Sequence, residues 1–224
     1  MTTHAFENYY IRKKVPLLRQ FRRAARHAQV PLIRRYGSDF ADAVTVETRR
    51  EYEALIPELP YIGGKANPLT TNLIEAAWFL ALYRVMKARG KSIAAIGKLI
   101  EEMVDTWLRA YPSFLLRLVG RLRFTRWYIN RLTRQAEISQ QRRYSEDWVY
   151  TAFRGDGKEF DFGMDYTECG IVKFYKAHSA TELIPYMCKL DYLMCQAMGT
   201  ELIRTKTIGM GDDRCDFRLK RIRG

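Results

Sequence analysis

The apolar residues of this chain change period once, close to Arg143, and that change limits the fold more than any other feature. Before it they recur at the spacing of an amphipathic helix. After it, short alternating runs are punctuated by Asp156-Gly157 and by Gly209-Met210-Gly211-Asp212-Asp213, the marks of strands joined by turns. The expected fold class is therefore α+β, a helical N-terminal part packed on a C-terminal antiparallel sheet unit of roughly ββααββ order. A division into residues 1–146 and 147–224, joined as one integrated domain, fits this pattern.

The helical part reads in segments. "IRKKVPLLRQFRRAARHAQ" is basic and amphipathic, and Pro31 is expected to interrupt it. A second segment is opened by Ser38 or Asp39 as cap and closed by Pro57 and Pro60. "TTNLIEAAWFLALYRVMKARG", with Thr71 or Asn72 as cap and Gly90 as stop, and "SIAAIGKLIEEMVDTWLRAYP", starting at Ser92, predict an antiparallel helical pair. In the C-terminal part, Trp148–Phe153 and the alternation of Phe160, Phe162 and Met164 predict a hairpin. "CGIVKFYKAH" predicts a short helix. The next helix starts either at a Ser179/Glu182 capping box or at Pro185.

Charge divides the chain as well. Residues 1–146 hold 26 Lys and Arg against 13 Asp and Glu, whereas residues 147–224 hold 12 against 12, so the net charge of +13 belongs to the first part. From Ser113 to Arg134 there are six arginines and no acid. At about 100° per residue, Phe114, Leu115, Leu118, Val119, Leu122, Ile129 and Leu132 share one face, with Phe124, Trp127 and Tyr128 among the arginines. Three readings remain open: a core helix with a solvated basic back, a peripheral membrane surface or acidic partner engaged through Arg117–Arg134, and nucleic acid. Nucleic acid is the least favoured, since no recognised motif accompanies the charge. "MTTHAFENYY" lacks the pattern of a signal peptide, and no apolar run approaches the roughly 20 residues that span a bilayer, so a cytoplasmic and at most membrane-associated protein is expected.

The four cysteines, Cys169, Cys188, Cys195 and Cys215, all lie in the last quarter. Spacings of 19, 7 and 20 contain none of the close pairs of structural zinc sites, so reduced thiols and no metal are expected. Candidate chemistry sits in three places. In "DYTECG", Asp165, Tyr166, Glu168 and Cys169 crowd a strand end and a helix start, where N–H groups can activate a thiol; the alternative is a plain turn over a buried cysteine. Cys188, Asp191, Tyr192 and Cys195 share a helical face, and an aspartate within such a stripe needs a task or a partner such as Arg204 or Arg218. In the last strand Cys215 and Phe217 share one face, with Arg214, Asp216 and Arg218 on the other.

"YIGGKANPLTTNLIEAAWFLALYRVM", "DYTECGI", "ELIPYMCKLDY" and "RTKTIGMGDDRCDFR" together resemble the bacterial L-2-amino-thiazoline-4-carboxylic acid hydrolase family, from about Tyr61 to Arg218. The segment "VKFYKAHSATEL" departs from the family's more cysteine- and glycine-rich linker. The ending also resembles, at fold level, vinyl-reductase-like small-molecule-binding domains. The family resemblance implies a small-molecule substrate, a cyclic amidine or thiazoline carboxylate whose ring is opened by water to a carbamoyl-cysteine, with no organic cofactor. Under it, Cys188 or Cys215 is the nucleophile, Asp191 the proton shuttle and Cys169 a further thiol of the catalytic set. Arg204 or Arg218 holds the carboxylate, with Tyr166, Glu168 and Tyr192 beside the substrate. Two alternatives stay open: a non-catalytic binding or sensor module with the same cysteine-lined pocket, and a related lyase on another substrate. A water-accessible carboxylate beside the thiol would favour the hydrolase.

Overall fold

The computed structural model of the chain describes residues 9–222; the opening residues 1–8, read above against the pattern of a signal peptide, lie outside that range. The chain forms two compact units. Of the described residues, one comprises 9–110 and 174–183, the other 111–173 and 184–222.

The first unit is helical. α1 (Lys14–Tyr36), α2 (Ser38–Leu55), α3 (Thr70–Ala88) and α4 (Ile93–Arg109) carry it. Its most extensive packing is of α1 on α2, α2 on α3 and α1 on α4, so the consecutive α3 and α4 are not the principal pair that their similar patterns suggest. α1 runs unbroken through Pro31, because that ring is buried with its neighbour Leu32 and packing offsets the lost backbone bond. Neither Ser38 nor Asp39 caps α2; Gly37, at φ 85°, turns the chain into it instead. α3 starts at Thr70 without a side-chain cap, its buried face of Leu73, Ala77 and Leu80 being enough to hold it. Ser92 does cap α4, accepting from the N–H of Ala95.

One ion-pair knot ties α1 to α4. Arg35 binds Glu102 with both prongs at 2.8 and 2.5 Å, and Arg34 adds a third bond at 3.0 Å. The Arg35 bonds, joined by those of Arg34, pull the Glu102 carboxyl down to about 2. A depressed carboxyl contributes stability above its ordinary value of about 4.3 and loses it as pH falls through the folded value. Between pH 5 and 2, wild type is therefore expected to lose about 1 kcal/mol more than Glu102→Gln, after allowance for solvent screening. Paired thermal melts check this.

The second unit is α+β. α5 (Ser113–Leu122) and α6 (Arg126–Ser139) precede a four-stranded antiparallel sheet of order β1-β2-β4-β3. Its strands are β1 (Val149–Arg154), β2 (Phe162–Glu168), β3 (Thr200–Ile203) and β4 (Cys215–Arg221), with α7 (Gly170–Ala177) and α8 (Ile184–Ala197) between β2 and β3. The first half of α7 falls in this unit and the second half in the other. The ββααββ order is thus observed. The hairpin turns where Asp156 accepts from the N–H groups of Lys158 and Glu159. Pro185 lies in the first turn of α8, after a 3-10 turn over Thr181–Leu183, which decides between the two starts.

The basic stretch from Ser113 to Arg134 is not one helix. It breaks at Arg123–Thr125, and Thr125 caps α6 by accepting from the N–H of Tyr128. The break re-aims Phe124 into the core, where its ring meets Phe162 at 5.3 Å. Ile129, Phe162, Met164, Cys195, Leu202 and Leu219 form that core, joined by Leu132 and Phe217, so one face of the sheet is covered by α6 and α8. Phe114, Leu115, Leu118, Val119 and Leu122, which share one apolar face, are exposed, so the core-helix reading does not hold for α5.

Candidate active site

Register decides which side chains of the sheet can meet α8. Cys215 lies opposite Tyr166, and Phe217 opposite Met164, so Cys215, Phe217 and Tyr166 share the helix-covered face with the core residues Met164 and Leu219. Asp165, Asp216 and Arg218 take the other face. The expectation for Cys215 holds: the cysteine points with the core while its charged neighbours point away.

Each of those neighbours has work on its own side. Asp216 accepts from the N–H groups of Thr205 and Lys206 at 2.8 and 2.6 Å, holding the loop after β3. Arg218 donates to Asp165 at 2.7 Å and lies over the rings of Phe153 and Phe160. The structure therefore places Arg218 across the sheet from Cys215, not beside it. Glu168 is ion-paired with Arg142 and Lys173, and Lys173 also donates to the backbone carbonyls of Ser145 and Asp147, so Glu168 fastens the start of α7 to the preceding loop.

The remaining predicted residues converge. Cys169, Cys188, Cys215, Asp191 and Arg204 lie within electrostatic reach of one another, with Tyr166 against Asp191 and Cys169. Four places supply them: the β2 end, α8, the residue after β3 and the first residue of β4. Arg204 organises the group. Its side chain is 4 % exposed and donates to Asp191 at 2.8 Å and to the Cys188 carbonyl at 2.7 Å. The guanidinium lies between the rings of Tyr192 and Phe217, at 5.0 and 4.9 Å. Tyr192 in turn donates its hydroxyl to the Arg204 carbonyl.

Asp191, held by Arg204 on one side, leaves 44 % of its side chain open to water. Burial raises its carboxyl, while Arg204 and then Arg123 pull it the other way. The thiols are all raised by burial: Cys169 to about 11 and Cys188 to about 12, with Cys215 moved in the same direction. At Cys169 the N–H groups of Val172 and Ile171 oppose that rise without overcoming it, so activation by the start of α7 loses to desolvation. The Cys215 sulfur accepts from the Ile208 N–H at 3.2 Å. All four cysteines are free thiols, and among the described residues no group of three or more His, Cys, Asp or Glu side chains is arranged to hold a metal ion.

Two members of the site were not legible as such. Arg123 belongs to the arginine-rich stretch, but it turns inward to Asp191 and Cys195 and donates to the Met198 sulfur at 3.5 Å. No carboxylate among the described residues lies within ion-pair distance of it. Its spacing from Gly120, one helical turn earlier, was the available signal, since a glycine marks the face of α5 that lies closest to its neighbour. The second is Gly209. A Cβ there would stand 2.9 Å from the Cys188 sulfur and 2.5 Å from Ile184, so the bare glycine leaves room above the thiol.

A family model described as L-2-amino-thiazoline-4-carboxylic acid hydrolase matches residues 71–219, about two thirds of the chain. No curated protein and no solved structure matches. The matched span contains the whole cluster of Cys169, Cys188, Asp191, Arg204 and Cys215.

Proposed function

The chain belongs to the L-2-amino-thiazoline-4-carboxylic acid hydrolase family, and from that premise we propose that the cluster on α8 opens a 2-aminothiazoline-4-carboxylate ring with water. The observation that carries the reading is a carboxylate one helical turn from a thiol, open to water on one side and braced by a buried guanidinium on the other. A pocket built only to bind an apolar ligand has no need of that carboxylate.

The steps follow from the protonation states. Cys188 is a neutral thiol, so it needs a base, and a raised Asp191 is a better proton acceptor than an ordinary carboxylate once ionised. Asp191 takes the Sγ proton as the sulfur adds to C2 of the ring, and returns it to the ring sulfur as the C2–S bond breaks. Water then adds to the same carbon, giving one proton to Asp191. The C–Sγ bond breaks as Asp191 returns that proton to the Cys188 sulfur and the second water proton passes to the former ring nitrogen, leaving a carbamoyl-cysteine that differs from substrate by one water. Arg204 is engaged by Asp191 and the Cys188 carbonyl, so it positions the base rather than the substrate. The substrate carboxylate falls to Arg123, which acts electrostatically on Asp191 and has no carboxylate partner within ion-pair distance among the described residues. Tyr166 and Tyr192 wall the site.

Replacement of each thiol in turn tests the assignment. Cys188→Ala is expected to lower turnover at least about 10³-fold, and Cys215→Ala, which removes only a partner of the Ile208 N–H, by about tenfold or less. Intact-mass measurement of quenched wild type should show the adduct on the peptide containing Cys188. A larger loss in Cys215→Ala, with its adduct on β4, would reverse the two roles.

A further inference from the structure

α5 is held by one edge and bare on the other. A Cβ at Gly120 would stand 1.9 Å from the Met198 carbonyl oxygen, so the helix meets the end of α8 backbone to backbone along its Gly120 edge. At about 100° per residue, Phe114, Leu115, Leu118 and Leu122 lie within about 60° of the direction opposite that edge. They are exposed, Phe114 by 67 % and Leu122 by 53 %. Arg117 and Arg121 border this arc on one side. Beyond the break Trp127 is 68 % exposed, with the Arg131 guanidinium 5.6 Å from its ring. No Asp or Glu occurs between Tyr111 and Ala136.

We infer that α5, with Trp127, is an in-plane anchor for an anionic lipid surface. Segregation of charge from apolar surface is what selects this occupant. On a bilayer, the leucine arc enters the acyl boundary while Arg117 and Arg121 reach up along its one border to lipid phosphates, and Trp127 sits at headgroup level. Nucleic acid would satisfy the arginines but leave the leucine arc in water. A second copy across a two-fold axis would cover the leucines but bring arginine against arginine. The ten-residue helix cannot cross a membrane, and none of the described helices is long and apolar enough to do so.

The anchor is independent of the hydrolase reading, and its test uses the full chain. Sedimentation with phosphatidylcholine vesicles containing or lacking phosphatidylserine should pull down wild type only with the anionic set, less so as salt rises. The double variant Leu118→Glu/Leu122→Glu should lower partitioning at least about tenfold, and Arg117→Ala/Arg121→Ala should lower it and flatten the salt dependence. All four positions are solvent-facing, so melting temperatures and ring-opening turnover should stay at wild-type values. Wild type left in the supernatant, or double-glutamate binding equal to wild type, overturns the inference. So does a wild-type dimer in solution that the glutamates convert to monomer, which would assign the arc to a second copy.

Discussion

Asp191→Asn is expected to lower ring opening by about 10²–10⁴-fold while leaving the fold intact. An amide cannot accept the Cys188 proton, and no other described carboxylate lies within hydrogen-bond reach of Arg204 to replace it. Asp191 is raised by burial, so the folded state favours its protonated form, and the stability tied to it is present at low pH and lost as pH rises through the folded value. A neutral asparagine removes that burden and keeps one bond to Arg204, so the variant should melt close to wild type at pH 7. The same displacement fixes the pH profile. Turnover by wild type should fall on the acid side at a pH above the ordinary aspartate value of about 3.9, because the active form is the carboxylate. Steady-state rates from pH 4 to 8 measure both effects together.

Arg204→Met is expected to cost more stability than any other single change at the site, about 2–3 kcal/mol and roughly 5–10 °C in melting temperature. The buried guanidinium holds Asp191, the Cys188 carbonyl and two aromatic rings at once, and its loss leaves the carboxylate and the carbonyl without their donor. The figure lies at the low end for a broken buried pair because Asp191 keeps its contact with water. A merely structural role would stop there. As a positioning residue, Arg204 should also move the acid limb of the pH profile upward, since removing the cation leaves burial unopposed except by Arg123. Arg204→Lys keeps the charge without the two-pronged geometry, and should restore the pH profile more fully than the melting temperature.

The site was legible where local pattern and position coincide. Alternation in "CDFR" put Cys215 and Phe217 on one face, and the helical spacing of Cys188 and Asp191 put both on another; the packing of α8 on the sheet then brings the two faces together. Sequence also required a partner for Asp191 and named two arginines, of which only Arg204 can serve. Arg218 differs from it by strand parity alone, a property set by register and unreadable before the sheet order is known. Arg123 was hidden for a related reason. One continuous helix from Ser113 to Arg134 would have kept the arginines on a solvated back, and the break at Arg123–Thr125 changes the direction of every side chain beyond it. The leucine arc of α5 illustrates the opposite case, a correct amphipathic pattern that says nothing about which neighbour covers it.

The ranking of the helix contacts needed the same long-range information. α3 and α4 carry similar patterns and adjoin in sequence, but the principal contacts run from α2 to α3, from α1 to α2 and from α1 to α4. Local propensity also yielded at Pro31, where burial holds a helix that the isolated segment would end.

On the proposed function, the α8 cluster hydrolyses a 2-aminothiazoline carboxylate. Incubation of the purified protein with 2-aminothiazoline-4-carboxylate, followed by mass spectrometry, tests it most directly, with Asp191→Asn run beside wild type. Wild type should yield a product heavier by one water and bearing a new free thiol, and the folded variant should yield almost none. Absence of that product from wild type, or its formation at equal rates by both proteins, would contradict the account.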